Sequence, residues 1–246
     1  MRCRKSGRIR GEIKVLIITG TGRSGTETLT RLFGGYHEFR VNYILDKYFL
    51  KEDPLSNPFD TIEKRIMVIL DLHQGIDRDT FVDSSNLYIH FIDAVYILNP
   101  SAQFILAVRN GRDFVRSAIS RKWHEKNTFG SIPQRDNPYF NRWDKMNPLQ
   151  KNAWIWDYRN RKALKGLSIV PERQKLIVKI EDINSHETIN SLEAFSGISI
   201  GERELADKRW NANPSFDFPP KEEWTDNQNS EFDEIAGEMM RFFGYD

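Results

Sequence analysis

The chain has 246 residues, of which 39% are hydrophobic and 29% are charged, and its 36 Lys and Arg nearly balance its 35 Asp and Glu. This length suits one α/β domain with a full hydrophobic core, and the balanced charge gives no electrostatic reason to expect a nucleic-acid partner. Cys3 is the single cysteine, so an internal disulfide is excluded.

The N-terminal stretch is basic. Five of the first ten residues are Arg or Lys, and only residues 15–18 follow as a strongly apolar run. That run is too short for the apolar core of a signal peptide, and no run approaches the ~20 residues of a membrane helix. We therefore predict a mobile basic arm over residues 1–12, one domain over residues 13–246, no integral membrane segment and a cytoplasmic location.

Residues 15–18 are apolar and rich in β-branched side chains, which is typical of a strand buried on both faces. Three glycines within six residues follow, and from Thr26 the apolar residues recur at helical spacing. A strand, a glycine-rich turn and a helix N-terminus are together typical of an anion site, because backbone N–H groups converge there and the helix adds about half a positive charge. The glycines are Gly20, Gly22 and Gly25, and the helical positions are Leu29, Leu32, Phe33 and Tyr36.

The glycine-rich turn differs from the phosphate loop of nucleoside triphosphatases. Gly20 and Gly25 have the separation of the G-x-x-x-x-G-K-[ST] motif, but Thr26 occupies the lysine position. The cation lies inside the turn instead, as Arg23. The turn therefore favours a phosphate ligand other than a nucleoside triphosphate with magnesium.

The rest of the chain alternates between predicted strands and helices. Such alternation predicts a parallel sheet covered on both faces, with ligands beyond the carboxyl ends of the strands. A long segment at residues 127–148 contains prolines and aromatic residues, and residues 46–60 are expected to be a loop. The further strands are predicted at 39–44, 80–83, 104–108 and 176–180, and the further helices at 61–75, 89–98, 111–126, 149–167, from 190 and at 231–243.

A second anion-binding pattern follows the strand predicted at residues 104–108. Arg109 comes directly after this strand, and Ser117 lies eight residues later on the next predicted helix. An arginine fork and a hydroxyl suit a terminal phosphate, because the guanidinium can bind it through two parallel hydrogen bonds.

These two patterns resemble the motifs of one family. The stretch Arg23-Ser24-Gly25-Thr26-Glu27-Thr28 resembles the 5′-phosphosulfate loop of sulfotransferases that use 3′-phosphoadenosine 5′-phosphosulfate (PAPS). Arg109 and Ser117 resemble the 3′-phosphate motif of the same family. Residues 175–183 are similar to its late strand followed by Y-E-D-L, with Ile180 in the tyrosine position, and residues 241–245 are similar to a common bacterial ending. The resemblance spans about residues 13–246 and is dense at the first two motifs.

The resemblance implies a single α/β domain of P-loop NTPase-like sulfotransferase architecture, with a central parallel sheet flanked by helices. It also implies sulfuryl transfer from PAPS to a hydroxyl or amine, with release of adenosine 3′,5′-bisphosphate (3′,5′-ADP) and without a metal. Arg23 takes the position of the cation that stabilises the leaving oxygen. Glu27 departs from the usual threonine, and we expect its carboxylate to point away from the ligand. The nucleotide-binding residues implied are Gly22, Arg23, Ser24, Gly25, Thr26, Glu27, Thr28, Arg109 and Ser117.

The general base must lie within hydrogen-bond reach of the acceptor. Asp46 follows the second predicted strand, with His37 and Glu38 before it, and Asp83 ends the third. We favour Asp83, because it terminates an apolar strand on the ligand side of the sheet. The alternative role for Asp83 is a helix cap for the segment at Ile89 or a position in a loop turn.

The acceptor is expected to contact the segment at residues 127–148, whose aromatic and basic side chains suit a small molecule, a carbohydrate or a lipid. Packing of these aromatics onto the core is the alternative. Two other functions stay open: a kinase-like phosphotransferase with a divergent phosphate loop, and a nucleotide-binding module without activity. A homo-oligomer is also open.

Overall fold

The computed structural model describes residues 13–49, 55, 57–76, 79–126, 128–200, 213 and 215–245. The predicted basic arm at residues 1–12 lies outside the described residues. Within the described chain, five parallel strands form one sheet in the order β2-β3-β1-β4-β5. The strands are β1 (Lys14–Gly20), β2 (Tyr36–His37), β3 (Thr80–Ser84), β4 (Gln103–Val108) and β5 (Lys175–Lys179).

The helices cover both faces of this sheet. They are α1 (Thr26–Leu32), α2 (Val41–Ile44), α3 (Ile62–His73), α4 (Ile92–Leu98), α5 (Gly111–Ile119), α6 (Pro148–Leu167), α7 (His186–Ser196) and α8 (Asp226–Phe242). Alternate residues of each central strand point to opposite faces, so the strands contribute to two separate apolar cores. Ile17 of β1 packs into the core that includes α3 to α6 and α8, whereas Ile18 packs into the core under α1 and α7. The single α/β domain with a central parallel sheet is therefore confirmed.

Four of the five predicted strands are confirmed within two residues, but the strand predicted at residues 39–44 is wrong. The second strand is the two-residue β2, which pairs with β3 alone among the described strands, and residues 41–44 form α2. Glu38 and Arg40 have φ angles of 58° and 53°. These left-handed conformations end the extended backbone, so the apolar alternation in this stretch belongs to a turn and a short helix.

Several helix ends also differ from the prediction. The helix predicted to reach residue 126 ends as α5 at Ile119, because Lys122 takes a left-handed φ of 54°. Helix α8 begins at Asp226, five residues before the predicted start, because Thr225 and Gln228 form a capping box. None of the helices in the described ranges is long and apolar enough to cross a bilayer.

Candidate nucleotide-binding site

The glycine-rich turn joins β1 to α1 at the carboxyl edge of the sheet. Gly22, Arg23 and Gly25 have φ angles of 78°, 56° and 78°, and runs of such conformations turn successive backbone N–H groups toward one concave side. A Cβ atom on Gly25 would lie 2.1 Å from Cδ1 of Ile180. Helix α1 has no side-chain cap at its N-terminus. The turn thus keeps the backbone arrangement of an anion site.

The side chain of Arg23 reaches the second predicted motif. Its Nε donates to Oγ of Ser117 at 3.1 Å, and its Nη2 donates to Oδ1 of Asn213 at 3.1 Å. Burial, followed by the nearby charges of Arg121 and Arg109, lowers the pKa of Arg23 to about 10, so it stays charged at neutral pH. The structure therefore brings the two motifs of the sequence together at one point.

Arg109 also contacts the glycine-rich turn. Its Nη1 donates to the main-chain oxygen of Arg23 at 3.1 Å. Its own main-chain oxygen accepts a bond from Nε1 of Trp156 at 3.1 Å, which ties the end of β4 to α6. Arg23, Arg109 and Arg121 thus form a cluster of three guanidinium groups, in which Arg23 contacts Ser117, and mutual repulsion within the cluster favours a bound anion.

Asn213, which the sequence motifs do not include, contacts this cluster, and Glu181 of the late motif lies beside the end of β4. The side-chain oxygen of Asn213 also accepts from Nε of Arg121 at 2.6 Å, and its nitrogen donates to the main-chain oxygen of Ser117 at 3.1 Å. Glu181 accepts from the backbone N–H of Asn110 at 2.9 Å and from the hydroxyl of Tyr245 at 2.8 Å. Neither contact has a local signal in the sequence, because each joins distant parts of the chain.

The remaining loop residues differ in their surroundings. Oγ of Ser24 is buried without a hydrogen-bond partner among the described residues. The side chain of Glu27 pairs with Arg31 at 2.7 Å, four residues along α1, rather than with Arg23. Thr26 is buried and Thr28 is half-buried.

The candidates for the general base differ in their burial and in their distance from the glycine-rich turn. Asp83 has no exposed surface, and its carboxylate accepts bonds from the hydroxyl of Tyr88 at 2.8 Å and from the backbone N–H of Phe39 at 3.2 Å. Asp46 is exposed on a single π-helical turn, Leu45–Phe49.

His37 lies nearer to the loop, with Nδ1 at 2.8 Å from Oγ of Ser84 and Nε2 at 4.0 Å from the Glu27 carboxylate.

Burial raises the pKa of Asp83 to about 7 from its ordinary value of 3.8. As pH rises from about 4 to about 7, the unfolded chain loses this proton before the folded chain does, so the contribution of Asp83 to folding stability falls across that window. Asp83→Asn removes the titration and keeps hydrogen-bonding groups for Tyr88 and Phe39. Urea unfolding should therefore show the variant gaining stability relative to the wild type between these pH values, by at most about 4 kcal/mol. A difference that does not change with pH would contradict this pKa.

The described part of the predicted acceptor segment, residues 128–148, packs against the body of the protein. Phe129 contacts Phe59, with ring centroids 5.8 Å apart, and Trp143 meets Trp154 at 5.2 Å. Arg142 stacks on Tyr139 at 4.3 Å and pairs with Glu234. Packing onto the core therefore accounts for part of the aromatic content of this segment.

Comparison with solved structures identifies the fold. The sulfotransferase domain from the curacin biosynthetic pathway aligns over 95% of this chain and 98% of its own, with a TM-score of 0.52 and 15% identity. The sulfotransferase domain of the Synechococcus PCC 7002 olefin synthase aligns over 100% and 99%, with a TM-score of 0.51 and 17% identity. A sulfotransferase from Mycobacterium tuberculosis H37Rv aligns over 92% and 78%, with a TM-score of 0.50 and 11% identity.

Two comparisons by sequence gave no match. No protein-family model matches it, and no curated protein matches it either. The likeness therefore lies in the course of the backbone, over nearly the whole chain. On this evidence the chain has the α/β fold of the sulfotransferases.

Proposed function

We propose that this protein is a sulfotransferase that moves a sulfuryl group from PAPS to a hydroxyl or amine and releases 3′,5′-ADP. The single observation that carries the proposal is the contact between the two motifs, in which Nε of Arg23 lies 3.1 Å from Oγ of Ser117. One ligand that bears an anionic group at each end can therefore engage both motifs at once. A bisphosphorylated nucleotide has that form.

The residues at the site suit such a ligand. The backbone N–H groups of residues 24–28 are assigned to the 5′-phosphate, as the left-handed turn at Gly22 and Arg23 supports. Arg109 and Ser117 are assigned to the 3′-phosphate, for which a guanidinium fork and a hydroxyl are suitable donors. PAPS supplies an activated sulfuryl group whose departure places negative charge on a phosphate oxygen. Arg23 is assigned to that oxygen, because a preorganised cation is most effective where charge develops.

For the general base, we place His37 beside the sequence candidates Asp83 and Asp46. His37 is partly exposed, and its Nε2 lies 4.0 Å from Glu27 in the first turn of α1. The hydroxyl of Ser84 fixes the imidazole ring through Nδ1. Asp83 can act on an acceptor only after the contact with Phe39 opens, because its carboxylate is fully buried.

Isothermal titration of three nucleotides tests this function. The protein should bind 3′,5′-ADP about tenfold to a hundredfold more tightly than adenosine 5′-monophosphate (AMP), because charge-assisted bonds to the 3′-phosphate contribute about 1.5–3 kcal/mol. Equal affinities would remove the assigned role of Arg109 and Ser117. Tighter binding of ATP with magnesium would favour the kinase-like function, and binding without sulfuryl transfer from PAPS to any of a panel of phenols, sugars and amines would favour a binding module.

A further inference from the structure

Arg159 of α6 is a buried arginine whose side chain bonds, among the residues that the structure describes, only to neutral oxygen atoms. Its Nη1 donates to the main-chain oxygen of Thr21 at 2.8 Å, and its Nε donates to that of Gly130 at 3.1 Å. Its Nη2 lies 3.3 Å from Oγ of Ser131. The residue is 8% exposed. Arg159 therefore joins three parts of the chain: α6, the glycine-rich turn and the predicted acceptor segment.

Burial of the Arg159 cation in this environment is energetically unfavourable. Within the described residues no carboxylate forms an ion pair with it, whereas Arg161 on the same helix pairs with Asp157 and Glu238, both at 2.8 Å. Burial lowers the pKa of Arg159 to about 10, so the group is charged at neutral pH. A buried cation without an anion is unfavourable, and an anion bound at the adjacent turn would offset this cost.

The bond to Thr21 fixes the direction of one peptide group. In a planar trans peptide the C=O and the following N–H point in opposite directions. With the oxygen of Thr21 held toward Arg159, the N–H of Gly22 faces the other way. Arg109 holds the oxygen of Arg23 in the same manner, which directs the N–H of Ser24. Each of the two arginines thus holds one carbonyl oxygen, so that the following N–H points away from that arginine.

Trp123 supports the same peptide group. Its ring lies 5.0 Å from the guanidinium carbon of Arg159, and a Cβ atom on Gly22 would lie 2.7 Å from its Cη2. The indole therefore packs directly against Gly22, and Arg159 packs against the indole. Gly22 is fixed both by this contact and by the hydrogen bond to the preceding carbonyl.

We propose that Arg159 is a positioning residue that orients the Gly22 N–H toward the 5′-phosphate and links this orientation to the segment at Gly130 and Ser131. The nucleotide named here rests on the proposed function, whereas the anion site at the turn does not depend on it. Loss of Arg159 frees the Thr21 carbonyl and weakens binding at the 5′ end of the ligand only.

The test compares Arg159→Met and Arg159→Lys with Arg161→Met, a surface control on the same helix. Calorimetry gives the Kd of 3′,5′-ADP, of adenosine 3′-monophosphate and of inorganic pyrophosphate. The ratio of the first two measures the contribution of the 5′-phosphate. Arg159→Met should reduce that ratio about tenfold, as expected for one bond to a charged group, and leave the Kd of adenosine 3′-monophosphate within about twofold.

Arg159→Lys, which keeps one donor for Thr21, should recover part of the ratio, and it serves as the test if the methionine variant does not fold. The control Arg161→Met should change neither the Kd of 3′,5′-ADP nor that of adenosine 3′-monophosphate. Equal weakening of both adenosine ligands, or an unchanged ratio, overturns the proposal. If the wild type binds pyrophosphate but no adenosine nucleotide, the proposed function fails. The role of Arg159 is then tested by comparing the Kd of pyrophosphate between the wild type and the Arg159 variants. If it binds none of the three, both fail.

Discussion

Arg23→Met is expected to lower the rate of sulfuryl transfer from PAPS by about 10²–10³-fold, the usual cost of removing one preorganised donor from developing charge. The Kd of 3′,5′-ADP should rise by less than about tenfold. The affinity changes less because the charge assigned to Arg23 develops on the leaving oxygen in the transition state, whereas the 5′-phosphate of 3′,5′-ADP keeps the backbone N–H donors of the turn. Release of 3′,5′-ADP in single turnovers measures the rate, and calorimetry measures the affinity.

Arg31→Met is the matched control on α1, because Arg31 is exposed and pairs with Glu27 rather than with the second motif. It should leave both quantities nearly unchanged. If Arg23→Met weakened 3′,5′-ADP binding as much as it slowed turnover, Arg23 would be a ground-state binding group. Loss of affinity with no measurable transfer in the wild type would indicate a nucleotide-binding module.

Arg109→Met is expected to remove most of the preference for 3′,5′-ADP over AMP. One or two charge-assisted bonds are lost, which corresponds to about tenfold to a hundredfold in Kd. The Kd of AMP should rise by less, because the 5′-phosphate loses only the effect of the Arg109 bond to the Arg23 carbonyl. Calorimetric titration of both nucleotides with both proteins gives the comparison.

Arg112→Met is the control three residues further on. Arg112 pairs with Asp233 at 2.7 Å and stacks on Phe232, so it joins α5 to α8 outside the cluster of guanidinium groups. The variant should lower the unfolding temperature and keep the nucleotide preference. An Arg109 variant that keeps the full preference for the 3′-phosphate would show that another group binds it.

The fold was largely predictable where burial alone decides the structure. The apolar runs of β1, β3 and β4 have no alternative that covers both of their faces, and β5 was predicted from its apolar residues although it lies at the edge of the sheet. The edge strand β2 was not predictable, because its two residues are extended by pairing with Asp83 and Ser84 rather than by their own propensity. Left-handed residues such as Glu38 and Lys122 also carry no reliable sequence signal.

The site was predictable only as two separate motifs. The sequence motifs identify Arg23 and Ser117 as candidate ligand-binding residues. Their contact depends on how the carboxyl ends of β1 and β4 meet in the sheet. Arg159 was missed because it lies among other polar residues of α6, and its bonds to Thr21 and Gly130 span 138 and 29 residues. Burial of its cation becomes visible only in three dimensions.

A crystal structure with 3′,5′-ADP tests most directly whether both anion sites hold one nucleotide. The 5′-phosphate should accept hydrogen bonds from backbone N–H groups of the turn, namely those of Gly22 and of residues 24–28. The 3′-phosphate of the same molecule should contact Arg109 and Ser117. A nucleotide bound through one phosphate, with the other end away from the cluster of guanidinium groups, would contradict the account.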